Sequence, residues 1–147
     1  MPGDKSITHR AFLLGALAKG TTTIEGASDG EDCQSTLRCL GSLGVAFESE
    51  SDGSRILVHG ARSFAPPTTP LDCGNSGTTL RLLMGALTPM PGEVELSGDA
   101  SLRQRPMERV ARPLRLMGAR IDTTNGRAPV RVFGSRLHGA RVAPEAA

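Results

Sequence analysis

Residues 2–10 read PGDKSITHR, and residues 72–81 read DCGNSGTTLR. Each puts glycine and small polar residues just ahead of an apolar run with helical spacing, so each marks the mouth of a helix. A helix N-terminus carries about four backbone N–H groups without intrahelical partners and roughly half a positive charge. Lys5 and Arg10 add full charges to the first mouth, and Arg81 adds one to the second. Two such mouths in one chain point to a surface that holds anions.

Outward from the first mouth, Ser6–Ala18 reads as a helix whose buried stripe is Ile7, Ala11, Leu14 and Ala18. Gly20 stops it, and the β-branched run Thr21–Glu25 reads as a strand. Asp29 is placed to cap a second helix, with Asp32 three residues on and a stripe of Cys33, Leu37, Leu40 and Leu43. Gly44 closes that helix, and strands Val45–Ser49 and Arg55–His59 follow around the turn Ser51-Asp52-Gly53. Phe64–Pro70 is a Pro/Thr-rich connector.

The pattern then recurs: strand Leu71–Cys73, helix Thr78–Leu87, strand Glu93–Ser97, helix Pro106–Met117, and strands Ala119–Thr123 and Pro129–Phe133 around Asn125-Gly126. Leu43-Gly44 answers Met117-Gly118, and His59-Gly60 answers Phe133-Gly134. Two copies of one β-α-β-α-β-β unit, about 1–62 and 70–142, fit the α/β chain if a strand precedes Pro2. In the last helix Pro106 takes the favoured first position, Pro113 is expected to kink the interior, and Met107, Val110, Leu114 and Met117 share a face.

A chain of 147 residues is one domain by length, able to bury about two thirds of its unfolded surface. With 3% aromatic residues and no Trp or Tyr, the core falls to Leu, Val, Ile, Ala and Met, and base-stacking platforms are scarce. The net charge of +2 is mild, although seven arginines lie between Arg103 and Arg127. Without interleaved aromatics these favour a solvated face over a nucleic-acid footprint. Cys33, Cys39 and Cys73 are odd in number and lack CxxC spacing, which favours structural thiols in a reducing compartment. His9, His59 and His138 share no ligand spacing, so no metal site is expected. Neither a signal sequence nor a bilayer-length apolar run is present, and a soluble, cytoplasmic protein without membrane contact is expected.

Three clusters carry candidate chemistry. Lys5, Ser6 and Arg10 offer an ammonium, a hydroxyl and a guanidinium at the first mouth, suited to phosphate or carboxylate; the plain alternative is a Ser6 cap with two solvated cations. Asn75, Ser76, Gly77 and Thr78 form the second, where Gly77 admits close approach of a ligand to the backbone; the alternative is a capped turn. The third is GDASLRQRP, 98–106, where Arg105 can reach an anion bidentately while Arg109, Arg112 and Arg115 read as a solvated face. Neither a G-x-x-x-x-G-K-[ST] loop nor a G-x-G-x-x-G loop occurs, which disfavours an ATP or NAD site.

PGDKSITHRAFLLGALAKGTTTIEG, DCGNSGTTLRLLMGAL and GDASLRQRPMERVARPLRLMGARI together resemble the N-terminal third of the 5-enolpyruvylshikimate-3-phosphate synthase family, over essentially Pro2–Ala147. The resemblance implies the enolpyruvyl transferase (alpha-beta prism) fold, with about two of its six β-α-β-α-β-β units in this chain and the C-terminal domain absent. It implies transfer of the enolpyruvyl group of phosphoenolpyruvate to the 5-hydroxyl of shikimate 3-phosphate, with no metal or organic cofactor. Carried over by motif, Lys5 touches both substrates and is the catalytic candidate, Ser6 and Arg10 hold shikimate 3-phosphate, and Asn75, Gly77 and Arg105 hold phosphoenolpyruvate. Glycine at Gly77 implies sensitivity to glyphosate.

The family pattern also has a strand ahead of PGDKS and a Ser-Ala-Gln motif beyond a segment like Val142–Ala147, both outside these residues. The intact enzyme is expected to be a monomer; the 147-residue chain is expected to lack transferase activity and to self-associate through exposed edges. Two other readings compete. The related UDP-N-acetylglucosamine enolpyruvyl transferases typically have Lys-Asn where this chain has Lys5-Ser6. A non-catalytic anion- or RNA-binding module would bind nucleic acid with steep salt dependence.

Overall fold

A computed structural model describes residues 3–50, 54–61 and 63–143. The expected turn at Ser51-Asp52-Gly53 lies outside the described residues, as do Pro2 and the end of the Val142–Ala147 segment. The chain folds as two compact units, Met1–Pro67 and Thr68–Ala147.

The first unit contains α1 (Lys5–Leu17), β1 (Gly20–Glu25), α2 (Glu31–Ser42), β2 (Ala46–Ser49) and β3 (Arg55–Gly60). Its antiparallel sheet has the order β1-β3-β2, with Thr22 opposite Val58 and Phe47 opposite the same residue. The second contains β4 (Leu71–Asp72), α3 (Gly77–Leu87), β5 (Glu93–Ser97), a short 3-10 turn, α4 (Glu108–Leu116), β6 (Arg120–Thr124) and β7 (Arg127–Phe133). Its sheet runs β4-β5-β7-β6, with β4 parallel to β5 and the other pairings antiparallel. The order β5-β7-β6 is the order β1-β3-β2 of the first unit, and β4 lies beyond it on β5.

The glycines matched between the units do matching work. Gly44 and Gly118 follow α2 and α4 at φ +88° and +95°, a left-handed turn that other residues adopt at a cost. Gly60 and Gly134, at the ends of β3 and β7, lie so close to the carbonyls of Ala18 and Met90 that neither has room for a methyl. The next N–H groups, on Ala61 and Ser135, donate to Ala16 O at 3.0 Å and Thr88 O at 2.8 Å. In each unit the last strand is thus fastened to the C-terminal end of the first helix. Asn125 (φ 52°) and Gly126 (φ 76°) make the left-handed pair that closes a tight β6–β7 hairpin.

The expected face of α1 is corrected. Ile7 and Leu14 are exposed, at 69% and 65%, and the buried residues are Thr8, His9, Phe12, Leu13, Gly15 and Ala16. Apolar residues surround this helix, so periodicity did not choose a side. The choice is made by shape and polarity: a Cβ on Gly15 would already be 3.3 Å from Thr22 and Val58, and His9 Nδ1 lies 2.7 Å from Thr36 Oγ1. Phe12 joins the aliphatic core as a fully buried residue.

Two helix starts also differ. Gly30, not Asp29, is the N-cap of α2, without a side-chain cap, while Asp32 in the first turn is drawn to Lys5. Helix α4 begins at Glu108 rather than Pro106. Arg105 is extended, as a residue before proline prefers, and the Met107 N–H is taken by Gly126 O at 2.8 Å. Pro113 lies inside α4, of which only Ala111 is fully buried; Met107 is buried just ahead of it. Among the described residues no helix is long and apolar enough to cross a membrane.

Candidate functional site

At the mouth of α1 the three candidate residues are together and exposed. Gly3 packs against the Gly26 carbonyl with no room for a side chain, which fixes the turn into the helix. The N-cap is Asp4, whose Oδ1 accepts the Ile7 N–H at 2.8 Å. This differs from a mouth free for an external anion, because a carboxylate already occupies it. The Lys5 ammonium forms an ion pair with Asp32, and Arg10 Nη1 donates to Ser6 O at 2.9 Å. Ser6 and Arg10 therefore share one face of the first two turns, with Lys5 at the entrance. Beneath them His9 is fully buried. Burial holds its imidazole below the usual range, Asp32 acts in the opposite direction, and Lys5 and Arg10 reinforce the lowering.

The mouth of α3 is built differently. The buried Ser76 caps it, its Oγ accepting the Thr79 N–H at 3.2 Å and the Thr79 hydroxyl at 2.7 Å. The N–H groups of Gly77 and Thr78 precede the capped one and have no partner inside the helix. A Cβ on Gly77 would lie 2.9 Å from Arg81 Nη1 and 3.3 Å from Arg105 Nη1, so two guanidiniums converge on the glycine. Both are held by neutral oxygens: Arg81 Nη2 donates to Pro106 O at 3.1 Å, and Arg105 Nη2 to Asn75 Oδ1. Burial first, and then the charges of Arg105 and Arg109, lower the proton affinity of Arg81. Two guanidiniums bonded to neutral oxygens above helix N–H groups, with Asp99 reaching Arg105 only through Asn75, form an arrangement suited to a phosphate or carboxylate.

The structure thus brings Asn75, Gly77 and Arg105 together in one unit and Lys5, Ser6 and Arg10 together in the other. Sequence reasoning placed a charge from Arg81 at this mouth but left Arg81 out of the binding set. Its spacing, one turn after Gly77, is the signal that identifies it. Asp99 was passed over as part of a loop; it accepts the Asn75 Nδ2–H at 2.7 Å. A hollow of about 310 Å³ adjoins it, lined in part by Asp72, Ser97 and Arg103. The larger hollow, about 730 Å³ and bordered by Met90, Phe133 and Arg136, lies at the other end of the strands from this cradle. Arg115 is exposed on α4, as expected of a solvated face, and is also anchored there. It pairs with Glu108 at 2.7 Å and donates to Ile121 O at 2.7 Å, tying α4 to β6.

The model of the EPSP synthase (3-phosphoshikimate 1-carboxyvinyltransferase) family matches residues 1–147. The chain belongs to the EPSP synthase family. It is 50% identical over 141 residues to the 3-phosphoshikimate 1-carboxyvinyltransferase of Acidithiobacillus ferrooxidans, covering 95% of this chain and 32% of that protein. Over 143 residues it is 50% identical to the enzyme of the same description from Methylococcus capsulatus, with the same coverage. The structure matches EPSP synthase from Acinetobacter baumannii with a TM-score of 0.94 at 43% identity, covering 99% of this chain and 34% of that one. The enolpyruvyl transferase NikO from Streptomyces tendae, at 17% identity and a TM-score of 0.63, shares the fold. The chain spans about a third of the length of the curated relatives it matches.

Proposed function

We propose that this chain supplies part of the substrate-holding wall of a 3-phosphoshikimate 1-carboxyvinyltransferase. The observation that carries the reading is the convergence of Arg81 and Arg105 on Gly77 at a capped helix mouth. In this reading the Gly77 N–H, Arg105 and Asn75 hold phosphoenolpyruvate, Ser6 and Arg10 hold shikimate 3-phosphate, and Lys5 touches both. The 5-hydroxyl oxygen of shikimate 3-phosphate bonds to C2 of phosphoenolpyruvate while C3 gains a proton. The resulting tetrahedral adduct then loses phosphate from C2 and a proton from C3, leaving the enol ether.

The cations act by position and charge: they orient two anions that repel one another and stabilise negative charge on the departing phosphate. Lys5 exchanges its present partner Asp32 for substrate in this reading. The working enzyme is read as a cytoplasmic monomer of the shikimate pathway, inhibited by glyphosate, that uses no metal or organic cofactor and binds neither nucleic acid nor membrane. The second unit has the order β-α-β-α-β-β, and the first has that order from its first helix onward.

Proton transfer and cleft closure draw on groups beyond this third of the enzyme, so the 147-residue chain is expected to bind ligand without turnover. Calorimetric titration with phosphoenolpyruvate in the presence of shikimate 3-phosphate tests this. Arg105→Ala is expected to weaken binding about tenfold, the size of a lost charge-assisted hydrogen bond. Equal affinity in the variant, or phosphate release by the isolated chain, overturns the reading.

A further inference from the structure

We infer that Asp99 is a positioning residue for the anion cradle, setting the direction of Asn75 and, through it, the place of Arg105. The inference rests on the proposed reading of that cradle and adds a residue that touches no ligand.

Asp99 is fastened on four sides. Its Oδ1 accepts the Leu102 N–H at 2.7 Å and its Oδ2 the Asn75 Nδ2–H at 2.7 Å; its own N–H donates to Gly74 O at 2.9 Å, and its carbonyl accepts the Arg103 N–H at 3.0 Å. The loop after β5 is thus bound to the loop after β4. The Leu102 N–H bond, followed by the one from Asn75, holds the Asp99 carboxyl below the usual carboxylate range.

An asparagine amide can turn over with little change of shape, exchanging its donor and acceptor ends. A carboxylate only accepts, so the amide facing Asp99 must present its NH2 there and its oxygen to the other side. That oxygen receives Arg105 Nη2–H. The relay has one polarity, from Arg105 to Asn75 to Asp99. It fixes a guanidinium beside Gly77 by a neutral acceptor, leaving its charge and remaining donors for a ligand. A carboxylate in direct contact with Arg105 would have neutralised that charge.

The sign of one substitution separates this role from simple electrostatics. Asp99→Asn removes a negative charge near an anion cradle, and Coulomb's law alone then predicts tighter anion binding. The relay predicts the reverse. An asparagine at this position still accepts the Leu102 N–H through its oxygen, offers its NH2 to Asn75, turns that amide over and sets an NH2 group against Arg105.

The test is titration of the 147-residue chain with phosphoenolpyruvate plus shikimate 3-phosphate, and separately with inorganic phosphate. Asp99→Asn is expected to weaken binding about tenfold, Asn75→Ala at least as much because it also removes a ligand contact, and the double variant no further than Asn75→Ala, because both cut one relay. Asp99→Ser keeps an oxygen for the Leu102 N–H and is expected to show the same loss, so the result does not depend on Asp99→Asn folding well. Unchanged or tighter binding by Asp99→Asn or Asp99→Ser, or losses that multiply in the double variant, overturn the inference alone. If the unsubstituted chain binds neither the substrates nor phosphate, the reading of the cradle fails and the inference falls with it, a result seen before any variant is made.

Discussion

At the mouth of α1 the helix dipole meets a carboxylate, Asp4, and the neighbouring lysine is held by a second one, Asp32. At the mouth of α3 the cap is a neutral hydroxyl, and the cations are held by an amide oxygen and a backbone carbonyl. Sequences that look alike therefore build two kinds of helix mouth. The second keeps its positive potential in place before a ligand arrives. The first has a neutralised helix end, and its attraction comes from side chains that must leave their present partners. Under the proposed function a ligand at α1 would compete with Asp32 for Lys5, whereas a ligand at α3 would enter a prepared position.

The largest effect that sharpens this contrast is expected from the caps. Ser76→Ala removes an acceptor from both the Thr79 N–H and the Thr79 hydroxyl inside a buried site, and should cost about 2 kcal/mol by denaturant unfolding. Asp4→Ala, at an exposed cap, should cost about 1 kcal/mol. Gly77→Ala acts on binding more than on stability. Its methyl would meet two flexible guanidinium ends rather than backbone, so stability should change by less than about 1 kcal/mol while phosphate and phosphoenolpyruvate binding drops about tenfold. A Gly77→Ala chain that binds as well as the original would break the claim that the α3 mouth is preformed.

A smaller effect separates the two units by pH. His9 is buried with its proton affinity lowered by burial, so the unfolded chain takes up a proton at higher pH than the folded one. The contribution of the first unit is full above the ordinary imidazole value of about 6.5 and falls as pH drops through it. Chemical denaturation followed through probes in each unit should show this loss in the first unit, and His9→Gln should flatten it. Smallest of all, Asp32→Asn releases a partly exposed pair and should move stability by no more than about 0.5 kcal/mol. A drop of several kcal/mol would show the Lys5 pair to be structural rather than displaceable.

Much of the fold was legible because glycine and turn chemistry leave few choices. Glu93–Ser97 was read to the residue, and Asn125-Gly126 located the hairpin because both positions take positive φ. The glycines at 44, 60, 118 and 134 marked equivalent points of the two units because each is required by a left-handed turn or a backbone approach. What failed was decided by tertiary partners. The face of α1 depends on Gly15 meeting Val58 and on His9 meeting Thr36, neither of which a helical period encodes. The start of α4 depends on a bond from Met107 to the distant Gly126. Among the candidate site residues, the resemblance grouped Asn75, Gly77 and Arg105, and these three lie side by side. The polarity of the Asp99 relay emerges only in three dimensions, because 24 residues separate Asn75 from Asp99.

The three cysteines carry a consequence for how opening of the fold can be watched. All are buried, Cys33 and Cys39 in the first unit and Cys73 in the second, and burial raises the proton affinity of the Cys33 thiol. A thiolate is the reactive form, so each sulfur is protected by exclusion of reagent, and that of Cys33 by its protonation as well. Alkylation followed by peptide mass mapping would then act as a pair of built-in clocks. The rate at Cys33 and Cys39 times exposure of the first unit, and the rate at Cys73 times exposure of the strand that leads into the cradle.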